Sequence, residues 1–288
     1  MPSTRQLKSR IRSVKSNKQI TKAMELVAAS KLRKSQDASR ASQAYALAAR
    51  ELLTQLGTLS DVQQFSFFRK RNVASRLVIL ITSDRGLAGA YNANVIKRFV
   101  NVLHEDEKAS VKTQVICIGR RGAQFAARLK AIEVVGVYTA MPDIITANDF
   151  RPILVEAVNR FMNETVDSVD IISTRFVNSF TQTAELMPLL PARFETTEVS
   201  KDIQMARFEP SISVVLEGAT IRLLESQLYQ ALLDSKASEH SMRRVAMKNA
   251  TDNASELVDD LTLEMNKVRQ AAITQELSEI SAGVEAMK

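Results

Sequence analysis

Neither glycine nor proline occurs from Ser3 to Leu56 or from Ala219 to Ala282, so the two strongest helix breakers are missing from both ends of the chain. Inside a helix glycine costs about 1 kcal/mol and proline about 3 kcal/mol. Stretches of 54 and 64 residues free of both predict two very long helices. At roughly 1.5 Å per residue they would extend about 80 Å and about 95 Å, farther than the core of a 288-residue chain can cover. They must bury each other or a surface outside the chain.

Apolar side chains recur at spacings of three and four in both stretches. In the first, Leu7, Ile11, Val14, Met24, Val27, Ala28 and Leu32 form a stripe with Ile20 at its edge and Lys18 interrupting it. Ala41, Ala44, Tyr45, Ala48, Leu52 and Leu56 continue it, and Gly57 supplies a C-terminal stop. In the second, Leu224, Leu228, Ala231, Leu232, Met242, Val245, Ala246, Asn249, Asn253, Leu257, Leu261, Met265, Val268 and Ala272 make the matching stripe. The chain between can return to its start, so an antiparallel coiled coil is the economical pairing, with Asn249 and Asn253 on the seam fixing register. No tryptophan and 5% aromatic residues suit such a slim seam of Ala, Leu, Val and Met.

Between the long stretches the pattern changes. Leu77–Ile81, Val115–Ile118, Val134–Val137 and Ile171–Ser173 are short β-branched and aliphatic runs, and Leu186–Leu190 is a weaker one interrupted by Pro188. Helical segments alternate with them at Asn92–Glu107, Arg121–Lys130 and Ala147–Thr165. Alternation of this kind predicts an α/β domain, Rossmann-like, with a parallel sheet covered by helices and inserted between the two long helices. Residues from Phe194 to Val215 show no period and read as a hairpin or an elbow.

The net charge of +7 is unevenly placed. Met1 to Arg40 holds eleven Lys or Arg against two acids, whereas Ala219 to Lys288 holds eight bases against eleven acids. A basic rod admits nucleic-acid binding, which demands steep salt dependence, or a solvated basic face. No base-stacking aromatic lies in the first 40 residues to support the former. A single cysteine, Cys117, excludes an internal disulfide and any cysteine-based metal cluster. No apolar run is long enough to span a membrane.

The most motif-like stretch follows the first strand, Thr82-Ser83-Asp84-Arg85-Gly86-Leu87-Ala88-Gly89-Ala90-Tyr91-Asn92. A glycine loop at a strand's carboxyl end is where phosphates often sit in α/β sheets. This one is neither G-x-G-x-x-G nor a loop ending in Gly-Lys-Ser/Thr. It reads as a structural turn built on Asp84, Arg85, Gly86, Gly89 and Asn92, with a nucleotide site as the alternative. His104 and His240 are isolated, His240 by default exposed or on the seam. Asp259 and Asp260 point to different azimuths of one helix. No catalytic residue, metal site or cofactor is expected.

Three segments resemble the γ subunits of bacterial F-type rotary ATP synthases: Ile20-Thr21-Lys22-Ala23-Met24-Glu25-Leu26-Val27-Ala28-Ala29-Ser30-Lys31-Leu32, the loop Ser83 to Asn92, and Glu239 to Glu276 with Met247-Lys248-Asn249-Ala250-Thr251-Asp252-Asn253-Ala254 and Arg269-Gln270-Ala271-Ala272-Ile273-Thr274-Gln275-Glu276. The match begins near Arg5, so no removable leader is expected. The resemblance implies a coiled-coil shaft from residues 1–60 and 210–288, an α/β foot over 73–195 and an elbow over 196–209. It implies a central-stalk rotor without catalytic residues of its own. Such a rotor passes rotation of a proton-driven c-ring to the catalytic β subunits for ATP synthesis, and regulates ATPase activity and proton flow. Implied partners are the hexamer of α and β subunits, the ε subunit and the c-ring, with no nucleic acid and no direct membrane insertion. The implied location is peripheral, on the cytoplasmic face of the cell membrane. Carried over residue by residue, Lys18, Lys22 and Met24 resemble a face turned to an acidic loop of β. Arg269, Gln270, Thr274 and Glu276 resemble further β contacts, and Phe208, Glu209 and Pro210 lie towards the foot, near ε or the c-ring. The cysteine pair of chloroplast relatives is missing, so thiol control is not expected.

Overall fold

The computed structural model describes residues 3–59, 65–179, 181–192, 209 and 211–286, without the side chains of 43–47, 49–59, 212 and 283–286. The elements in chain order are α1 (Thr4–Leu59), β1 (Ser75–Ile81), α2 (Tyr91–Lys108), β2 (Lys112–Ile118), α3 (Arg120–Ala126), β3 (Glu133–Tyr138), α4 (Ala147–Met162), β4 (Ser168–Phe176), β5 (Gln182–Leu190) and α5 (Ile212–Ala286). Both terminal helices outrun their expected limits. α1 passes Gly57, which is therefore not its stop, and α5 begins before Gly218, where the space around the α-carbon is open. The side chains of Ala44, Tyr45, Leu52 and Leu56, and residues 196–208 and 210 with Phe208 and Pro210, lie outside the described residues.

The chain divides into two compact units, Met1–Ala28 with Arg243–Lys288, and Ala29–Met242. In the first, Leu7 and Ile11 of α1 are buried with Leu261 of α5, and Val14, Val258, Met265 and Val268 pack around them. Farther along, Thr251 Oγ1 donates to Thr21 Oγ1 at 2.8 Å. Residue numbers rise along α1 as they fall along α5, so the two segments run in opposite directions. Six expected apolar seam positions are corrected: Val27 is 55% exposed, Val245 45% and Leu257 42%, and Ala41, Ala48 and Ala272 are exposed too. Asn249 and Asn253 are exposed as well and fix no register. The seam of α5 runs instead through Met247, Thr251, Ala254, Val258, Leu261, Met265 and Val268, whose alternating spacings of four and three stay on one face, whereas repeated spacings of four from 249 drift around the helix.

The second unit holds a five-stranded sheet in the order β3-β2-β1-β4-β5. β1 to β4 pair in parallel. β5 is antiparallel to β4, which corrects the expectation of a parallel sheet throughout. The reason is the connection: only five residues separate β4 from β5, far too few for a crossover, and Asn178 Oδ1 accepts the Thr181 N–H at 2.8 Å. Pro188 is tolerated because β5 is an edge strand and the register shifts where it meets Asp170. The Val135 position between paired Val134 and Gly136 is likewise a bulge against β2.

Period-two alternation splits each central strand between two cores. Leu77, Ile79 and Ile81 face one way with Ile116, Val169 and Ile171, where α4 adds Phe150, Ile153 and Phe161 and α5 adds Leu216, Leu224, Leu228 and Leu232. Val78 and Leu80 face the other way with Val115, Cys117 and Ile172, where α2 adds Tyr91, Val95, Phe99 and Val102. Cys117 is a core residue whose thiol burial pushes up to about 12, so it is inert at neutral pH. α3 ends at Ala126, earlier than expected, because Arg128 and Leu129 already close three-residue turns onto Phe125 and Ala126. At the amino ends of the strands, Arg76 bridges Asp106 and Asp170 at 3.1 Å each.

In this unit α1 and α5 meet through polar groups. Ser42 Oγ donates to Gln230 Oε1 (2.6 Å), Gln230 Nε2 donates to Ser39 Oγ (2.7 Å) and Asp234 Oδ1 (3.0 Å), and Ser39 Oγ donates to Asp234 Oδ1 (3.1 Å). Burial raises the Asp234 carboxyl above its usual range despite the hydrogen bonds from Ser39 and Gln230. A carboxyl with a raised native pKa binds its proton more readily in the fold than in the unfolded chain, so stability falls as pH rises between the ordinary and the raised value. Asp234→Asn keeps the acceptor and removes the charge. It is expected to match or exceed the parent in stability at pH 7, by up to about 1 kcal/mol. The difference should shrink as pH is lowered through the Asp234 titration, read from urea midpoints at pH 7 and pH 5.

Candidate functional site

Two places are candidates for function: the carboxyl edge of the sheet and the exposed faces of the paired terminal helices. At the sheet edge, the loop after β1 is knotted into the scaffold. Asp84 Oδ1 accepts the N–H of Arg120 at the start of α3 and Oδ2 accepts the N–H of Ala140 after β3, both at 3.0 Å. One carboxylate thereby ties three strand ends together. Asn92 Oδ1 accepts the Ser83 N–H at 3.0 Å and Asn92 Nδ2 donates to Ser83 Oγ at 2.8 Å, while Ser83 Oγ donates to the Arg85 carbonyl at 2.7 Å. Gly86 lies under the guanidinium of Arg121, and Gly89 adopts φ 55° to bring the chain into α2.

The crevice where an α/β sheet would receive a nucleotide is filled by α5. Leu232, Ser235, Lys236 and Glu239 close over Ile81, Thr82, Asp84 and Gly119, leaving about 10 Å³. That is about the space of one water. A nucleotide does not fit, and the loop's polar groups are spent on the backbone. Within the loop, Asp84 and Asn92 hold the backbone by the hydrogen bonds above and Gly89 turns it into α2.

Residues 139–146, which follow β3, fasten this edge to both long helices. Lys31 of α1 lies 2.9 Å from Asp143, His240 Nε2 of α5 lies 3.9 Å from the same carboxylate, and Lys236 Nζ donates to the Met141 carbonyl at 3.2 Å. Burial pushes the Asp143 carboxyl up, yet Lys31, His240 and Lys236 together hold it below its usual value. His240 is buried rather than exposed because α5 lies against the sheet here. Among the described residues, no group of three or more His, Cys, Asp or Glu is arranged to hold a metal.

On the terminal helices, Lys18 and Lys22 are exposed and Met24 half-buried, with Lys22 Nζ 2.9 Å from Glu25. Arg269, Gln270, Thr274 and Glu276 are all exposed, and the Thr274 hydroxyl caps back onto the Gln270 carbonyl at 2.9 Å. These two groups do not form one site. Thr21 meets α5 at Thr251, whereas Val268 packs with Leu7 and Ile11, a separation along α5 of roughly 25 Å at 1.5 Å per residue. Glu209 is exposed. Between and beyond the two groups stand large apolar side chains in water: Ile20, Leu26, Leu263, Ile273, Leu277 and Ile280. Sequence reasoning did not single out Asp143, Lys31 or the Ser39–Gln230–Asp234 network. Only the serines at 35, 39 and 42, at helical spacing, hinted at the last.

A five-stranded mixed α/β unit with a closed crevice, and long helices that leave apolar side chains in water, are the features of a subunit of a larger assembly. The family described as ATP synthase matches residues 3–287. The ATP synthase gamma chain of Stenotrophomonas maltophilia (strain R551-3) is 37% identical over 288 residues, all of both chains. That of Moorella thermoacetica is 39% identical, also over all of both chains. That of Opitutus terrae is 39% identical over 98% of each. The chain belongs to the ATP synthase gamma chain family. The fold is similar to that of a chain in the mitochondrial ATP synthase of Euglena gracilis, in a structure of OSCP, F1 and c-ring, with TM-score 0.66, 18% identity and coverage of 99% of this chain and 94% of that one. It is also similar to a chain of the central stalk and c-ring of the Tetrahymena thermophila enzyme, with TM-score 0.60, 22% identity and coverage of 80% and 99%.

Proposed function

We propose that this chain is the central-stalk rotor of an F-type ATP synthase, carrying rotation between a proton-driven c-ring and the catalytic β subunits. In this reading α1 and α5 form an antiparallel coiled-coil shaft from residues 1–60 and 210–288 within the hexamer of α and β subunits. A Rossmann-like domain inserted between them, residues 73–195, is the foot towards the ε subunit and the c-ring, with 196–209 an elbow. Lys18, Lys22 and Met24 face an acidic loop of β, Arg269, Gln270, Thr274 and Glu276 contact β at another level, and Phe208 and Glu209 lie on the foot side. The chain would sit peripherally on the cytoplasmic face of the cell membrane. No described helix is long and apolar enough to cross it.

The observation that carries this reading is the full-length match to gamma chains combined with apolar side chains left in water along the terminal helices, Leu26 at 61% and Leu277 at 61% exposed. Scattered exposed leucines alone are ordinary. Repeated along helices whose own pairing leaves them uncovered, they suit a shaft enclosed by a ring. Exposed ion pairs of lysines such as Lys18 are worth only about 0–1 kcal/mol each, so a basic face can guide a passing acidic loop without locking onto it.

Mixed with the α and β subunits of the same enzyme, the purified chain is expected to yield an assembly whose ATP hydrolysis exceeds that of α and β alone by an order of magnitude or more. Doubly reversing Lys18 and Lys22 to glutamate should lower that stimulation and make what remains less sensitive to salt. An assembly that forms with the chain and hydrolyses ATP no faster than α and β alone overturns the rotor reading.

A further inference from the structure

The two long helices are attached to the sheet in different ways. α5 enters the apolar core with Leu216, Leu223, Leu224, Leu228, Ala231 and Leu232. Among the described side chains, α1 contributes none to either hydrophobic cluster of this unit. Between Ala29 and Ser42 its one large buried apolar side chain is Leu32, and its inward stripe continues through buried Ser35 and half-buried Ser39. A seam of serines has little shape of its own, and neighbouring registers one turn apart differ little in apolar burial. The serines at 35, 39 and 42 repeat at nearly one turn, so a one-turn slip would again present a hydroxyl to α5.

Hydrogen-bonding complementarity must then select the register. Gln230 uses both ends of its carboxamide, accepting from Ser42 and donating to Ser39 and Asp234, and Ser39 also donates to Asp234. Donor and acceptor roles alternate along the chain Ser42, Gln230, Ser39, Asp234 without conflict, because the carboxylate only accepts. The second contact is Lys31 with Asp143 at 2.9 Å, which ties α1 to residues 139–146. A slip of one turn would leave Lys31 out of reach of Asp143, which breaks the degeneracy of the serines. Register selection is the best-attested use of polar groups on a helix seam.

We propose that the Ser39–Ser42–Gln230–Asp234 network and the Lys31–Asp143 pair form a polar latch that sets the axial register of α1 against the sheet-anchored α5. Opening the latch leaves both apolar clusters of the sheet unit in place, so within this unit the serine stretch of α1, with Leu32, can shift along α5 as one discrete step. The proposal concerns the chain itself, and its outcome is independent of the rotor reading.

The experiment uses the full chain with spin labels at Arg40→Cys on α1 and Lys108→Cys at the end of α2, both exposed positions. Cys117 is buried and stays unlabelled. Pulsed electron–electron resonance should give one narrow distance distribution in the parent. With Ser39→Ala, Ser42→Ala and Lys31→Met together, the distribution is expected to widen or split, with a displaced population shifted by up to about 5 Å, one helical turn. Helix content by circular dichroism should be unchanged. If the triple variant does not fold, Gln230→Met alone removes both ends of the carboxamide at similar volume and is expected to widen the distribution. A folded variant, triple or single, that keeps the parent's mean and width overturns the latch.

Discussion

Replacing Gly119 by alanine is expected to lower stability by about 3 kcal/mol or more and to leave little folded protein on expression. Gly119 sits between β2 and α3 with φ 94°, and an added β-carbon would come within 2.1 Å of the Thr82 carbonyl oxygen. That obstacle is backbone, so no side chain can turn aside. Neither strand can retreat: Thr82 N–H donates to the Ile118 carbonyl and Gly119 N–H to the Tyr138 carbonyl, both at 2.8 Å. Guanidinium titration of the variant, with the parent as reference, measures the loss. A midpoint within error of the parent would show that the crossing of β1 and β2 ends is looser than drawn.

The second large effect is expected from Leu261→Asp. Leu261 is buried with Leu7 and Ile11 in the one hydrophobic cluster described for the unit of Met1–Ala28 and Arg243–Lys288. Placing a carboxylate there without a partner costs about 3–5 kcal/mol. So small a cluster has little else to lean on. Hydrogen exchange of amides in 7–28 and 243–268 should accelerate by at least about tenfold, while the strands β1, β2 and β4 keep their protection. In the assembled complex the same variant should lose most of the stimulation of ATP hydrolysis. Equal acceleration throughout the sheet would mean that the two units unfold as one.

The existence of the long helices was legible because absence of breakers over more than fifty residues is a cumulative signal. Their seams were legible only in part. Leu7, Ile11, Leu261, Met265 and Val268 lie where the stripe placed them, yet Val27, Val245 and Leu257 are exposed. An Ala-rich helix offers several stripes of similar apolar content, and the partner chooses among them. β1, β2 and β4 announced themselves as β-branched runs buried in the sheet, and β3 as an aliphatic run although its edge position leaves Val134 and Val137 exposed, whereas β5, with Pro188 and one partner strand, carried a weak pattern and an unpredicted direction. The loop at Asp84 was recognisable as a turn by its glycines, but its task of joining three strand ends could not be seen in a linear string.

By itself the sequence determined the element types and, through three motifs, the family, because breaker-free length, residue alternation and motif order are properties of neighbours along the chain. Tertiary structure alone decided that α5 closes the nucleotide crevice, that Asn249 and Asn253 face water, that β5 runs antiparallel, and that Ser39, Gln230, Asp234, Lys31 and Asp143 meet. Each of those depends on residues far apart in sequence. Hydrogen-bonding and packing select such contacts only once the helices have taken their places.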